Sequence, residues 1–343
     1  MIARRLLPVI AVAACMVFLR PVVAQTAPVT VYCSALAQWC EIMRQAFETK
    51  TGIKALMTVK STGETLAQLR AEAGNPRADI WWAGTSDPHL EAAKSGLTQV
   101  YKSPALDKLQ PWARRQAELS DYKSVGIYAG TIGIVWHRDN LKKKNLPEPK
   151  CWADLVKPAY KDEIQMSNPG TSGTSYLILA TLMQIMGEDK AFEYLKALNK
   201  NVNQYPRSGA APMHAVVQGE SVLAVTFVFA AIGEAASGAP VAAISPCEGT
   251  GYEIGSMSII NGAKNLEGAK AWYEFALTPE AQATGVKGRS YQIPSHLDAP
   301  LPPGTPRLED VKLIDYDFKR FGAPGTSKQL IARFERDILS QPK

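Results

Sequence analysis

The chain has 343 residues, enough for two domains of ordinary size, and 46% apolar with 20% charged residues is the composition of a globular protein with a large core. Thirty-eight Lys and Arg against 32 Asp and Glu give a net charge of +6, which falls to +3 once Arg4, Arg5 and Arg20 leave with an expected leader. That excess is too mild for a nucleic-acid-binding protein, and Lys142-Lys143-Lys144 reads as a solvated loop.

Residues 1–24 carry Arg4 and Arg5, an apolar run over 6–19 and Val22-Val23-Ala24 before Gln25, the pattern of an export signal cleaved after Ala24. Arg20 and Pro21 interrupt the run too early for a membrane span, and no Cys stands at the cleavage point to carry a lipid. Cys15 leaves with the signal, so four cysteines remain in an oxidising compartment, where an even number reads as disulfides. Of the three connectivities, Cys33–Cys40 with Cys151–Cys247 is favoured, because the first closes a short loop at a strand end and the second ties together the two ends of the middle segment. Their spacing fits no zinc motif and the four histidines are scattered, so neither a structural metal nor a cofactor is expected.

In chain order, strands are expected over 29–32, 54–59 and 78–83, each followed by a hydroxyl-rich turn and a helix, the helices over 38–51 and 66–73 being the clearest. Strand, short polar loop and helix three times over describe a parallel sheet with covering helices, which binds ligands at the carboxyl ends of its strands. The glycine-bearing β run 124–136 is read as a crossing into a second lobe, and 251–260 as the return. Between them come strands over 163–166, 202–205, 222–229 and 241–245 and helices over 176–186, 189–198, 213–218 and 230–236. Helices over 266–277, 279–285 and 327–339 are assigned to the first lobe, packing around both.

The stretch Asn168-Pro169-Gly170-Thr171-Ser172-Gly173-Thr174-Ser175 enters an apolar helix and combines two glycines, four hydroxyls and the free N–H groups of a helix start. It reads as an anion-binding loop; the plainer reading is a helix cap, for which one such residue suffices. It is not a Walker loop, since no Lys follows the second glycine. Arg207 in Pro206-Arg207-Ser208-Gly209 reads either as a clamp on the same anion or as a surface residue. Trp81 and Trp82 stand as pocket wall or core, with core favoured, and Glu253 as a partner of a ligand hydroxyl or of the hinge backbone.

Taken together, Ser61-Thr62-Gly63-Glu64, Ala78-Asp79-Ile80-Trp81-Trp82-Ala83-Gly84, the 170–175 loop, Gln204 to Pro212 and Glu248-Gly249-Thr250 resemble the type II periplasmic solute-binding proteins of ABC importers, nearest the cluster of ferric-iron and sugar-phosphate binders. The resemblance implies an α/β protein of two lobes, each a mostly parallel sheet with flanking helices, joined by a two-strand hinge. Lobe 1 would be 25–130 with 252–343, and lobe 2 would be 131–251. It implies a periplasmic, monomeric binder that is not an enzyme and delivers a small anionic ligand to an inner-membrane permease. The pocket would draw on Ser34, Ser61, Thr62 and Thr85 from lobe 1, with Thr131 and Glu253 near the crossings. Lobe 2 would add Thr171, Ser172, Gly173, Thr174, Arg207, Ser208, Gly209 and Ala210.

Two departures narrow the ligand. Tyr176, Tyr205 and Tyr252 stand apart where iron binders have adjacent tyrosines, and Phe227-Val228-Phe229-Ala230 replaces the polar strand end of sugar-phosphate binders. The ligand is therefore expected to be a phosphate or phosphonate ester with a less polar body toward Phe227 or Phe229. The alternatives are a ferric-iron binder of the same fold and, from another class, a secreted hydrolase, although no G-x-S-x-G elbow is present.

Overall fold

The computed structural model describes residues 27–341, so the expected leader and its cleavage point lie outside the described residues. Ten strands follow in chain order: β1 (Val29–Cys33), β2 (Ala55–Val59), β3 (Ile80–Trp82), β4 (Val125–His137), β5 (Ile164–Gln165), β6 (Val202–Gln204), β7 (Leu223–Phe227), β8 (Val241–Ile244), β9 (Tyr252–Ile259) and β10 (Ile293–Pro294). They join in the order β2-β1-β3-β9-β4-β7-β5-β6, with β8 and β10 attached to β4.

β4 makes this one sheet and yet two lobes. Its first half, up to Thr131 opposite Tyr252, runs antiparallel to β9; its second half, from Ile132, pairs with β7 and β8. On one side β2, β1 and β3 are parallel, and on the other β7, β5 and β6 are parallel. A parallel pair needs a crossover, so each set is interleaved with helices that cover its faces. β3 shows the consequence, with all three of its residues buried: Trp82 packs with Trp39, Met43, Phe47 and Trp272, while Trp81 packs with Tyr32, Leu66 and Leu69.

Several element limits differ from the sequence pattern. The strand expected over 78–83 is three residues long, because the Asp79 carboxylate accepts the N–H groups of Thr30 and Asn265 at 2.8 Å each and Ala83 turns to a φ of 68°. The helix expected from residue 66 begins at Thr62, where Glu64 reaches back to the N–H and hydroxyl of Ser61 in an S-x-x-E capping arrangement. The helix expected from 176 begins at Gly173, with the Ser172 hydroxyl accepting the Ser175 N–H. The strand expected over 222–229 ends at Phe227 and the chain turns helical at Val228, a boundary that an unbroken apolar run hides. Helix Pro111–Leu119 lies where the sequence reading gives no element, with its proline at the start of the helix.

Among the described residues, the two largest of four hydrophobic clusters divide between the lobes. That of the first lobe is built on Val31, Phe47, Trp82 and Trp272; that of the second on Trp152, Leu177, Phe192 and Leu223. Phe318, Phe321, Phe334 and Ile338 join the second cluster, together with Leu90 from the first-lobe helix Ser86–Lys94, so the C-terminal segment spans the seam between lobes.

Both disulfides join the cysteines as paired from the sequence. Cys33–Cys40 pins the turn between β1 and helix Ala37–Thr51, and Cys151–Cys247 bridges 96 residues across the second lobe.

Candidate functional site

Between the lobes lies a cleft of about 470 Å³, within the range that holds a small organic ligand. A smaller cavity of about 90 Å³ behind Trp39, Trp82 and Pro302 is mainly apolar and lies inside the first lobe, so the chemistry belongs to the cleft.

Helix starts dominate its wall. Leu36, Ser61, Thr85, Ser172, Ala210 and Phe227 are the residues immediately before helices Ala37–Thr51, Thr62–Ala71, Ser86–Lys94, Gly173–Met186, Ala211–Gln218 and Val228–Ala236, and all six line the cleft. The cause is topological. Each helix follows the carboxyl end of a strand, and the carboxyl ends of parallel strands lie on one side of a sheet. The first N–H groups of a helix have no turn before them to bond to, and each start carries roughly half a positive charge. Six starts around one space favour an anion there.

Glycines bring the backbones close. A Cβ on Gly84 would lie 2.7 Å from Thr62 Oγ1, one on Gly209 would lie 2.5 Å from Thr174 Oγ1, and one on Gly173 would overlap Thr85 Oγ1. Thr62, Thr85, Ser172 and Thr174 thus meet across the lobe boundary. The Thr85 hydroxyl is buried and has no hydrogen-bond partner within the protein.

The lobes are in contact along the rim. Ser61 Oγ donates to the Thr171 carbonyl at 2.7 Å, Arg207 pairs with Glu64 at 2.6 Å, and Arg289 pairs with Glu234 at 3.3 Å. Burial pushes the Glu64 carboxyl up, but hydrogen bonds from Arg207 and Ser61 outweigh this and hold it below the usual carboxylate range.

The floor is the crossing pair β4 and β9. Glu253 faces the cleft with 2% of its surface exposed, and its Oε1 has no partner within the protein. Burial alone pushes its carboxyl well above the usual range. Tyr128 lies beside it and accepts the Gly84 N–H at 3.0 Å through its hydroxyl.

Ser34, Ser61, Thr62, Thr85, Ser172, Gly173, Thr174, Arg207, Ser208, Gly209, Ala210, Phe229 and Glu253 all line the cleft. Thr131 and Thr171 do not. Tyr128 lines the cleft from β4, so by the two-residue period of a strand Thr131, three residues on, points the other way, buried opposite Tyr252. Thr171 donates its hydroxyl to the Arg207 carbonyl at 2.8 Å and accepts from Ser61, joining the walls instead of facing the space between them. Trp81 is core: it stacks on His89 at 3.7 Å and its indole N–H donates to Ser34 Oγ. Phe227 and Phe229 stack on each other at 4.9 Å and line the cleft, although Phe229 belongs to a helix and not to the strand expected over 222–229. Tyr176 and Tyr205 donate their hydroxyls to the Phe321 carbonyl and Asn199, and Tyr252 packs edge-on against Phe318; none lines the cleft.

The sequence pattern missed Tyr128, Lys60, His214, Arg289, Ser290 and Gln292 in the lining. Gly255 was the available signal for Tyr128. The two are cross-strand partners, and the tyrosine ring fills the space where a side chain at 255 would stand.

This architecture defines a two-lobed binding protein, and residues 75–320 match the bacterial extracellular solute-binding protein family, to which the chain belongs. It is the solute-binding component of an ABC importer, of a class that captures small ligands and hands them to a permease. An uncharacterized protein of Haemophilus influenzae is 39% identical over 310 residues, covering 90% of each chain. AfuA of Actinobacillus pleuropneumoniae, solved with exogenous fructose-6-phosphate bound, is 38% identical with a TM-score of 0.89, covering 92% of this chain and 99% of its own. The periplasmic binding protein P5PA is 37% identical with a TM-score of 0.87, covering 91% of this chain and 99% of its own.

Proposed function

We propose that the protein captures a small organic anion, a phosphate or phosphonate ester, between its lobes in the periplasm, and delivers it as a monomer to an inner-membrane permease without turning it over. The observation that carries this reading is the convergence of six helix starts on one cleft. A tetrahedral oxyanion takes several N–H and O–H donors at once, and the Gly173-Thr174 start, with the Thr85, Thr62 and Ser208 hydroxyls, supplies them from both lobes. The organophosphate bound by AfuA, whose fold superposes closely, supports the same head group.

Arg207 contributes at the rim. Its Nε and one further N–H go to Glu64, which leaves three of the five guanidinium donors for a ligand oxygen. The side chain is 75% exposed, so solvent screens it and the low end of a charge-assisted hydrogen bond applies. Arg207→Ala is expected to weaken phosphate-ester binding about tenfold by calorimetry. Mass spectrometry of whatever co-purifies identifies the ligand directly. A neutral molecule in the cleft, or unchanged affinity in Arg207→Ala, refutes the assignment.

A further inference from the structure

The sheet of the second lobe has an edge that the fold leaves open. The His137 N–H goes to the Val222 carbonyl and the Arg138 N–H to the Pro240 carbonyl, so odd-numbered residues of β4 bond towards β7 and even-numbered ones towards β8. Ala242 stands opposite Trp136 and Ile244 opposite Ile134, so their main chains turn into the sheet. Those of Val241 and Ala243 turn outward. Among the described residues nothing accepts from the Ala243 N–H, and nothing donates to the Val241 and Ala243 carbonyls.

This edge borders a groove of about 600 Å³, with Val228, Ala231 and Ile232 of helix Val228–Ala236 on one side and the segment from Gly304 to Lys312 on the other. Just past β8 that segment already pairs in strand fashion: the Lys312 carbonyl takes the Thr250 N–H at 3.0 Å, and Ile314 gives its N–H to the Thr250 carbonyl at 2.9 Å. Alongside β8 itself no such bond forms, and the gap is the groove. Edge strands that stay unpaired are commonly guarded by charge. β2, the outermost strand of the first lobe, is bracketed by Lys54 and Lys60, whereas Val241 to Cys247 holds no charged residue. Cations stand instead at the two ends of the groove. Arg138 is at the Val241 end, and Lys312 is at the Cys247 end, where its Nζ donates to the Cys247 carbonyl at 3.0 Å. Neither has an ion-pair partner among the described residues, and Asp310 is the one acid in the lining. Antiparallel pairing with a second copy would set Arg138 of one chain against Lys312 of the other, so like charges oppose it.

We propose that this edge docks an extended acidic segment of a partner protein, which joins the second-lobe sheet as an added strand, bonds to the main chain of Val241 and Ala243, and sets its carboxylates on Arg138 and Lys312. Main-chain pairing supplies the attachment, and the two cations select the partner. The groove shares no lining residue with the cleft, so the segment and a ligand are held independently.

The test uses the full-length mature protein and capped heptapeptides: alternating valine and threonine with glutamate at both ends, the same with lysine at both ends, and the glutamate peptide N-methylated so that it has no N–H to donate. By calorimetry the glutamate peptide is expected to bind about fivefold or more tighter than the lysine peptide, as exposed ion pairs at both ends allow, with the preference shrinking in high salt. It should also slow hydrogen exchange at the Ala243 amide. The N-methylated peptide is expected not to bind. Ala243→Pro removes the outward N–H without touching the bonds to β4 and should abolish binding, while Arg138→Ala combined with Lys312→Ala should abolish only the preference for glutamate. A melting scan establishes that the variants fold; if Ala243→Pro does not, the N-methylated peptide puts the same question to the wild type. Equal binding of the lysine peptide, binding of the N-methylated peptide, unchanged exchange at Ala243, or no binding of any peptide overturns the proposal. A dimer in sedimentation that Ala243→Pro dissolves would give the edge to a second copy and overturn it as well.

Discussion

The wall and the floor of the cleft are made in different ways. The wall is backbone: helix starts delivered by consecutive strand–turn–helix units, with hydroxyls and glycines close together in sequence. The floor is register: Tyr128, Phe229 and Glu253 come from three distant segments and meet only because β4 and β9 pair with Gly130 opposite Glu253. A wall built of main-chain donors recognises a charge shared by many ligands, while a floor built of three side chains is free to change and so selects among them. If that division holds, damage to the wall abolishes binding of every anion, and damage to the floor changes which anion is preferred.

The largest effect is expected from Gly173→Val. Gly173 packs its backbone against Thr85 and Thr62 of the other lobe, and a side chain there occupies the position of the Thr85 hydroxyl. The lobes are then held apart, and the helix start can no longer close on a ligand together with the opposite wall. Binding of all anionic probes should fall more than about 100-fold, the cost of losing two or more charge-assisted hydrogen bonds. Solution scattering should show a larger radius of gyration that added ligand no longer reduces. Retained affinity in this variant would show that closure across Gly173 is dispensable.

The two disulfides separate stability from site geometry. Replacing Cys151 and Cys247 by serine releases a 96-residue loop and should cost roughly 4 to 5 kcal/mol on chain-entropy grounds while leaving ligand affinity unchanged. Replacing Cys33 and Cys40 releases a short loop, at a cost below about 3 kcal/mol. That bond, however, holds the turn carrying Ser34, Ala35 and Leu36 in the cleft wall, so here affinity should fall too. Urea unfolding paired with calorimetry distinguishes the two, and equal effects on affinity would remove the distinction.

The wall was largely legible in the sequence because its residues are local. Ser61-Thr62-Gly63-Glu64 and Gly170 to Ser175 announce helix starts by composition, and their placement after strands points them to one side of the sheet. Reading them wholly as loops is what fails: Thr62 to Glu64 and Gly173 to Ser175 are the first turns of the helices themselves. The floor was only half legible. Glu253 and Phe229 stood out as single residues, but nothing local distinguishes Tyr128 from any strand tyrosine, and the turn to helix at Val228 is invisible in an unbroken apolar run. Thr131 was misplaced because a one-residue difference along a strand exchanges its faces.

The smallest expected effect lies behind the wall, at a second buried carboxyl that contrasts with Glu253 in having a partner. Asp87 opens helix Ser86–Lys94, just after the cleft residue Thr85, and accepts the Tyr316 hydroxyl at 2.8 Å. A helix start should lower an acid's pKa by the equivalent of about 0.3–2 kcal/mol, but complete burial wins and raises Asp87 to about 7, helped by Glu91 and Asp317 and opposed by Tyr316 and Lys94. The folded state therefore holds this proton more tightly than the unfolded chain, whose Asp releases it near pH 4. The stabilisation is complete below that value, declines as pH rises toward 7, and is gone above it, at up to about 1.4 kcal/mol per pH unit. Asn at this position still accepts from Tyr316 and carries no proton to lose. Unfolding free energies measured between pH 4.5 and 6.5 should accordingly fall less steeply with pH in Asp87→Asn than in the wild type. Parallel slopes would mean that Asp87 stays ionised despite its burial.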